Sequence, residues 1–253
     1  MTGRLEGTVA LVTGASSGIG EATAAALAAE GAAVAIAARR RDRLETLAAR
    51  IGDDSQVLVI EADVTDEAQA RTMVERTVAE YGRLDTLVNN AGVMLLGPIV
   101  DAPMEEWQRM VELNVVGLLS ATHAALPHLL RAAEDGPRHV ADVVNISSVA
   151  GRVARQGSGV YNATKFGVAA FSESLRQEVT KRHVRVSVIE PGAVMTELAT
   201  HNRPEIIEGM RATFGGIEML HSEDIADAIV FVVTRPRRVA INEVLVRPTE
   251  QER

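Results

Sequence analysis

Short, wholly apolar runs recur along the chain, each followed by a stretch of helical composition, and this alternation limits the fold more than any other feature. Residues 9–13, Val-Ala-Leu-Val-Thr, carry no polar face. A strand of that kind is buried on both sides, as in a parallel sheet. Similar runs stand at 33–37, 57–60, 84–88, 140–146, 184–189 and 241–246. Helical stretches separate them at 20–30, 42–51, 65–81, 104–131, 160–181 and 222–234, several stopped by glycine, as at Gly31, Gly52 and Gly82. Strands and helices in strict alternation predict a doubly wound, mostly parallel seven-stranded α/β sheet with helices on both faces.

Composition agrees and removes other classes. With 253 residues and no low-complexity linker, the expectation is a single domain over 1–253, with residues 196–216 a substrate lid. Aromatic residues make up only 3%, so the core is built from Ala, Val, Leu and Ile. The absence of cysteine excludes disulfides and thiolate metal sites, and the six histidines show no ligand spacing, so no metal is expected. A net charge of −8 argues against nucleic acid. No signal peptide or spanning segment is read, so no membrane partner and a cytoplasmic location are expected.

The first strand meets the first helix in Thr13-Gly-Ala-Ser-Ser-Gly-Ile-Gly20. Gly14 suits the tight turn, Gly18 a close backbone approach to a pyrophosphate, and Gly20 close helix–strand packing; the free N–H groups of the helix start face the anion. With the sheet, this reads as a Rossmann-type dinucleotide site. The second strand ends in Arg39-Arg40-Arg41 with no carboxylate at its tip. Guanidinium pairs well with phosphate, so NADP(H) is expected, with Arg39 on the 2′-phosphate, Arg40 as helper and Ser16 adding a hydrogen bond. Asp63 is a candidate for an adenine amino group or a turn residue. Asn90, in Asn89-Asn-Ala-Gly92, is better suited to holding its loop than to chemistry.

Tyr161 and Lys165 stand at i and i+4 at a helix start, hence on one face. A phenol titrates near 10 and needs a neighbouring ammonium to become a useful acid near neutrality, so Lys165 is expected to lower Tyr161. Ser148, at the end of a strand, can hydrogen-bond a substrate oxygen; Ser147 competes for that role. Asn114 is an unusual interior choice for an apolar helix, either bonding a backbone carbonyl or holding a proton-relay water. No GxSxG elbow accompanies Ser148, so a hydrolase is not indicated.

These motifs, with Pro191-Gly192, occur in one order over essentially the whole chain, which resembles the short-chain dehydrogenase/reductases. The resemblance implies an active-site set of Asn114, Ser148, Tyr161 and Lys165. It implies cofactor contacts from Gly14, Ser16, Ser17, Gly18, Ile19, Gly20, Arg39, Arg40, Asp63, Val64, Asn90, Ala91, Gly92, Tyr161, Lys165, Pro191, Gly192, Val194 and Thr196. It also implies hydride transfer between NADP(H) and a small carbonyl or alcohol substrate, in a homotetramer or dimer. The ending Ile241-Asn-Glu-Val-Leu-Val-Arg-Pro-Thr-Glu250 departs from the commonest glycine-rich pattern. With residues 92–98 and 171–178, it is similar to two subgroups, the clavulanic acid dehydrogenases and the NADP-dependent 3-hydroxy acid dehydrogenases, which handle carboxylate-bearing substrates. Met94, Leu96, Val153, Gln156 and Met195 are read as pocket residues, and Arg152 and Arg155 as candidates for a substrate carboxylate or as solvent-facing loop arginines. A non-catalytic NADP(H)-binding sensor or scaffold on the same fold is the alternative.

Overall fold

The computed structural model describes residues 3–52, 56–100 and 102–252. Seven strands form one sheet in the order β3-β2-β1-β4-β5-β6-β7. They are β1 (Val9–Thr13), β2 (Ala33–Ala38), β3 (Val57–Glu61), β4 (Thr86–Asn89), β5 (Ala141–Ile146), β6 (Val184–Pro191) and β7 (Glu243–Val246). Every pairing is parallel, where a mostly parallel sheet was expected.

The helices are α1 (Gly18–Ala29), α2 (Arg41–Ile51), α3 (Glu67–Tyr81), α4 (Met104–Val111), α5 (Gly117–Asp135), α6 (Gly159–Val179), α7 (Pro204–Phe214) and α8 (Ser222–Val233). They form two layers. On one face Val12, Ile36, Val88, Val144 and Ile189 pack against Leu27 of α1, Leu44 of α2 and Ile225 and Ile229 of α8. On the other, Leu11, Ala35, Leu87, Val143 and Val186 meet Met73 of α3, Leu129 of α5 and Leu175 of α6. Neighbouring strand residues thus feed opposite layers, which is why the runs carry no polar face.

Three departures from the sequence reading are local. The expected single helix 104–131 is broken by a π-bulge at Glu112–Val116, and α5 continues to Asp135 before Gly136 stops it. The fourth strand starts at Thr86 rather than 84, and just before it the Asp85 carboxylate accepts from Val9 N at 2.9 Å and binds Arg83. Within the segment expected as a lid, Pro204 opens the helix α7; proline suits a first turn, where its missing N–H costs nothing.

A further correction concerns the membrane. Within Met104–Asp135, taken as one run, an 18-residue window reaches a mean hydropathy of 1.3, long and apolar enough to cross a bilayer, where no spanning segment is expected. No Asp, Glu, Lys or Arg lies between Glu112 and Arg131, but Ala121, Ala125 and Leu129 are buried in the core, so the apolar run reflects packing against the sheet.

The strand order reverses between β1 and β4, and at such a switch point the loops part to leave a crevice at the carboxyl ends. Thr13 and Asn90 tie the two loops together. Thr13 Oγ1 accepts from Asn90 N at 3.0 Å and Ala91 N at 3.1 Å, while Asn90 Nδ2 donates to Thr13 O at 3.0 Å and Gly14 O at 3.1 Å. Two glycines make this possible. Gly14 has φ +64°, and a Cβ there would lie 2.8 Å from Ala91 Cα. A Cβ on Gly20 would come within 2.3 Å of Asn90 Nδ2 and 2.5 Å of Gly14 O. Gly20→Ala must therefore displace the Asn90 amide and is expected to lower stability by about 1–3 kcal/mol in chemical denaturation. An unchanged midpoint would contradict this packing.

Candidate active site

Asn114, Ser148, Tyr161 and Lys165 converge at the carboxyl ends of β4, β5 and β6. Starting α6 at Gly159 places Tyr161 and Lys165 in its first two turns, both buried, 6% and 7% exposed. Lys165 Nζ stands 5.8 Å from the Tyr161 ring centroid and donates to Ile146 O at 2.8 Å. Ser148 stands close enough to the Tyr161 phenol to lower it, and its hydroxyl donates to Pro191 O at 3.4 Å. Ser148 also caps the 3₁₀ turn Val149–Gly151, accepting from Ala150 N at 3.1 Å. Ser147 points away, its hydroxyl donating to Lys165 O at 3.1 Å.

Asn114 lies in the π-bulge and is 2% exposed. Its Oδ1 accepts from Val93 N at 2.8 Å, and its Nδ2 donates to Val93 O at 2.8 Å and Thr164 Oγ1 at 3.2 Å. Of the two expectations for this residue, the backbone-bonding one is realised. The amide clamps the loop after β4 to the turn that carries Lys165.

The proton energetics correct the sequence reading. Burial pushes the Tyr161 phenol up to about 12, and Ser148 only partly opposes it. Burial also pulls the Lys165 ammonium down to about 8. In the cofactor-free protein the expected lowering of the phenol by Lys165 is not seen: burial outweighs it. The amine is turned to a backbone carbonyl, and a dry site disfavours charge on either group.

At the glycine loop, Arg40 rather than Arg39 engages the serines. Its Nε and Nη2 donate to Ser16 Oγ at 3.1 and 2.9 Å, and Nη2 to Ser17 Oγ at 2.9 Å. Arg39 is more exposed and lies 3.7 Å from Asp63. Asp63 Oδ1 accepts from Thr65 N at 3.0 Å and Thr65 Oγ1 at 2.8 Å, the turn role weighed above. Thr196 packs on the loop, its methyl carbon 3.1 Å from where a Gly18 Cβ would sit. Val64 is buried against Gly117, and Ile19 packs into the α1–α8 layer. Val194 bridges to Leu220, and Gly192 N donates to Val246 O at 2.7 Å behind Pro191. Gly14, Gly20, Asn90, Ala91 and Gly92 line the crevice edge described above. The residues present therefore fit a dinucleotide: a glycine cradle that added side chains would fill, with guanidinium groups at its rim. A cavity of about 780 Å³ opens beside Ser17 and Gly18 between α1 and α8, but neither Tyr161 nor Lys165 lines it.

The two loop arginines separate. Arg152 holds the buried Glu190 through Nε and Nη2 at 2.6–2.9 Å and also binds Glu243, anchoring its loop to the strands β6 and β7. Arg155 is exposed. Met94 and Leu96 pack in a cluster with Trp107 and Tyr161, whereas Val153, Gln156 and Met195 are exposed at the rim.

Two asparagines went unread. Asn162 donates to Ala150 O at 2.6 Å and Val153 O at 2.9 Å, holding the loop before α6. Asn202 accepts from Leu96 N at 2.7 Å and donates to Met94 O at 3.0 Å, tying the 196–216 segment to the opposite wall. An asparagine beside the glycine loop's YxxxK partner, or one just before a Pro-opened helix, is the only signal either offered.

The family profile described as short chain dehydrogenase matches residues 8–206. An uncharacterised oxidoreductase of Staphylococcus haemolyticus is 38% identical, over 96% of this chain and 98% of its own length. Glycine betaine reductase ATRR of Emericella nidulans is 39% identical over 98% of this chain, which spans only 19% of that longer protein. Among solved structures, the closed form of serine dehydrogenase with NADP+ superposes with a TM-score of 0.88 at 34% identity, covering 97% of each chain. A 3-ketoacyl-(acyl-carrier-protein) reductase from Brucella melitensis with NADH gives 0.84 at 31% identity, covering 96% of this chain and 98% of that one. With its glycine cradle, parallel sheet and Ser–Tyr–Lys cluster, the chain belongs to the short-chain dehydrogenase/reductase family.

Proposed function

We propose that this chain is an NADP(H)-dependent oxidoreductase acting on a small carbonyl or alcohol substrate. The observation that carries the reading is the cluster itself: a phenol next to Ser148, beside a buried amine, in a crevice rimmed by guanidinium groups. When bound, the nicotinamide supplies or accepts the hydride, and its oxidised ring adds a positive charge that favours phenolate nearby. Tyr161 gives its proton to the carbonyl oxygen in reduction and takes it back in oxidation. Ser148 donates to the same oxygen as negative charge develops. Lys165 stabilises the phenolate left behind and holds the ribose hydroxyls. Asn114 fixes the loop above them and is a positioning residue. Arg40 and Arg39 receive the 2′-phosphate; the NADP+ complex of the serine dehydrogenase neighbour supports that choice.

The substrate is read as small and polar, with a carboxylate as its distinguishing group, in keeping with the likeness to serine dehydrogenase. With Arg152 committed to Glu190, Arg155 is the arginine left for that carboxylate. Residues 196–216 act as the lid of a single domain, pinned by Asn202. The exposed Val111, Val116 and Phe166 support self-association into a homo-oligomer, a tetramer in preference to a dimer, and a cytoplasmic location completes the reading.

Two outcomes test it. Tyr161→Phe is expected to retain NADPH binding while losing at least about 10²-fold in NADPH oxidation with aldehydes and ketones. Turnover equal to wild type on every substrate would remove Tyr161 as the acid, and no turnover by either protein would favour a sensor. Because Lys165 titrates near 8, the ammonium is lost above that pH, so the reduction rate is expected to fall as pH rises through about 8. A flat profile to pH 9.5 would contradict it.

A further inference from the structure

Glu197 opens the 3₁₀ turn Glu197–His201 at the start of the lid, yet its carboxylate reaches back to the end of β2. Oε2 lies 2.9 Å from Arg40 Nη1, and Oε1 lies 2.5 Å from Arg43 Nη1. At the other end of the same turn, burial and the charges of Arg109, Arg40 and Arg39 pull His201 down. The two guanidinium groups hold the Glu197 carboxyl down to about 2, and it is ionised at every working pH.

Arg40 has five N–H donors, and four are already used: three on Ser16 and Ser17, one on Glu197. The serine bonds are to neutral hydroxyls, whereas the Glu197 bond joins two opposite charges and is stronger. All three side chains are about two-fifths exposed, and pairs in that setting add little to stability. What the arrangement does change is the charge and donor capacity that Arg40 and Arg43 offer an incoming anion.

We propose that Glu197 is a specificity-determining residue: an internal anion that competes with the cofactor's 2′-phosphate for Arg40 and Arg43 and so restrains the preference for a 2′-phosphorylated dinucleotide. A phosphate dianion arriving at Arg40 takes over guanidinium donors and repels the carboxylate, which leaves with the first turn of the lid. A dinucleotide with free 2′- and 3′-hydroxyls brings no such charge and leaves the Glu197 pairs in place. The inference rests on the reading that Arg40 receives the 2′-phosphate.

Binding of NADP+ and NAD+ to the purified chain by titration calorimetry tests it, since the two ligands differ only in that phosphate. Glu197→Gln keeps the shape and removes the charge. NADP+ is expected to bind about threefold to tenfold tighter to this variant, with NAD+ within twofold of wild type, and the gain should shrink at high salt. Unchanged or weaker NADP+ binding, or equal tightening of both ligands, would overturn the proposal. Arg40→Ala separates the two levels. If it weakens NADP+ selectively while Glu197→Gln changes nothing, only the role of Glu197 fails. If Arg40→Ala binds NADP+ as wild type does, the phosphate reading fails and takes this inference with it.

Discussion

Burial of an amine and a phenol side by side is the constraint around which the site is built. Water is excluded from both Lys165 and Tyr161, and charge on either is disfavoured. Such a pair persists only if its remaining polar atoms are satisfied. The Ile146 carbonyl takes the ammonium, Ser148 stands beside the phenol, and Ser147 and Thr164 brace the helix backbone between them. The protons are therefore held in a neutral-leaning balance, from which a small change of charge nearby moves them. The chain alone does not make Tyr161 a strong acid; it keeps the phenol protonated and aimed.

The fold supplies rigidity on both sides of that pair. Below it, Asn89 Nδ2 donates to Asn145 Oδ1 at 2.8 Å and Asn145 Nδ2 to Ser172 Oγ at 2.8 Å, a buried polar chain linking β4, β5 and α6. Above it, Asn114 clamps the loop after β4, and its π-bulge interrupts what would otherwise be a continuous helix. At the far end of the sheet, Arg185 binds Asp142 at 2.7 and 2.8 Å and caps carbonyls after α8, such as Arg235 O at 3.0 Å. These contacts set the register of elements whose tips form the crevice.

The sheet and its two helical layers were legible because strands buried on both faces have no choice but to be apolar throughout. The glycine cradle was legible from Gly14 and Gly20, whose side chains would collide with the neighbouring loop. Tyr161, Lys165 and Ser148 were legible as a group by spacing and order. What local pattern could not show is where a long side chain spends its donors. Arg152 reads like Arg155 in sequence, yet only Arg152 reaches a buried glutamate. Arg39 reads better than Arg40 for a phosphate, yet Arg40 turns onto Ser16 and Ser17. Asn162 and Asn202 look like ordinary polar residues until the loops they hold come together. The proton balance was also beyond reach, because proximity at i and i+4 says nothing about how dry the site is.

The chain has only two tyrosines, so a Tyr81→Phe background leaves the Tyr161 phenol to be followed alone by NMR or absorbance. If burial governs the pair, the phenol of the cofactor-free protein should be less than half ionised at pH 11. A midpoint at or below about 10, the ordinary value for tyrosine, would show that the amine and not the dry cleft controls its proton.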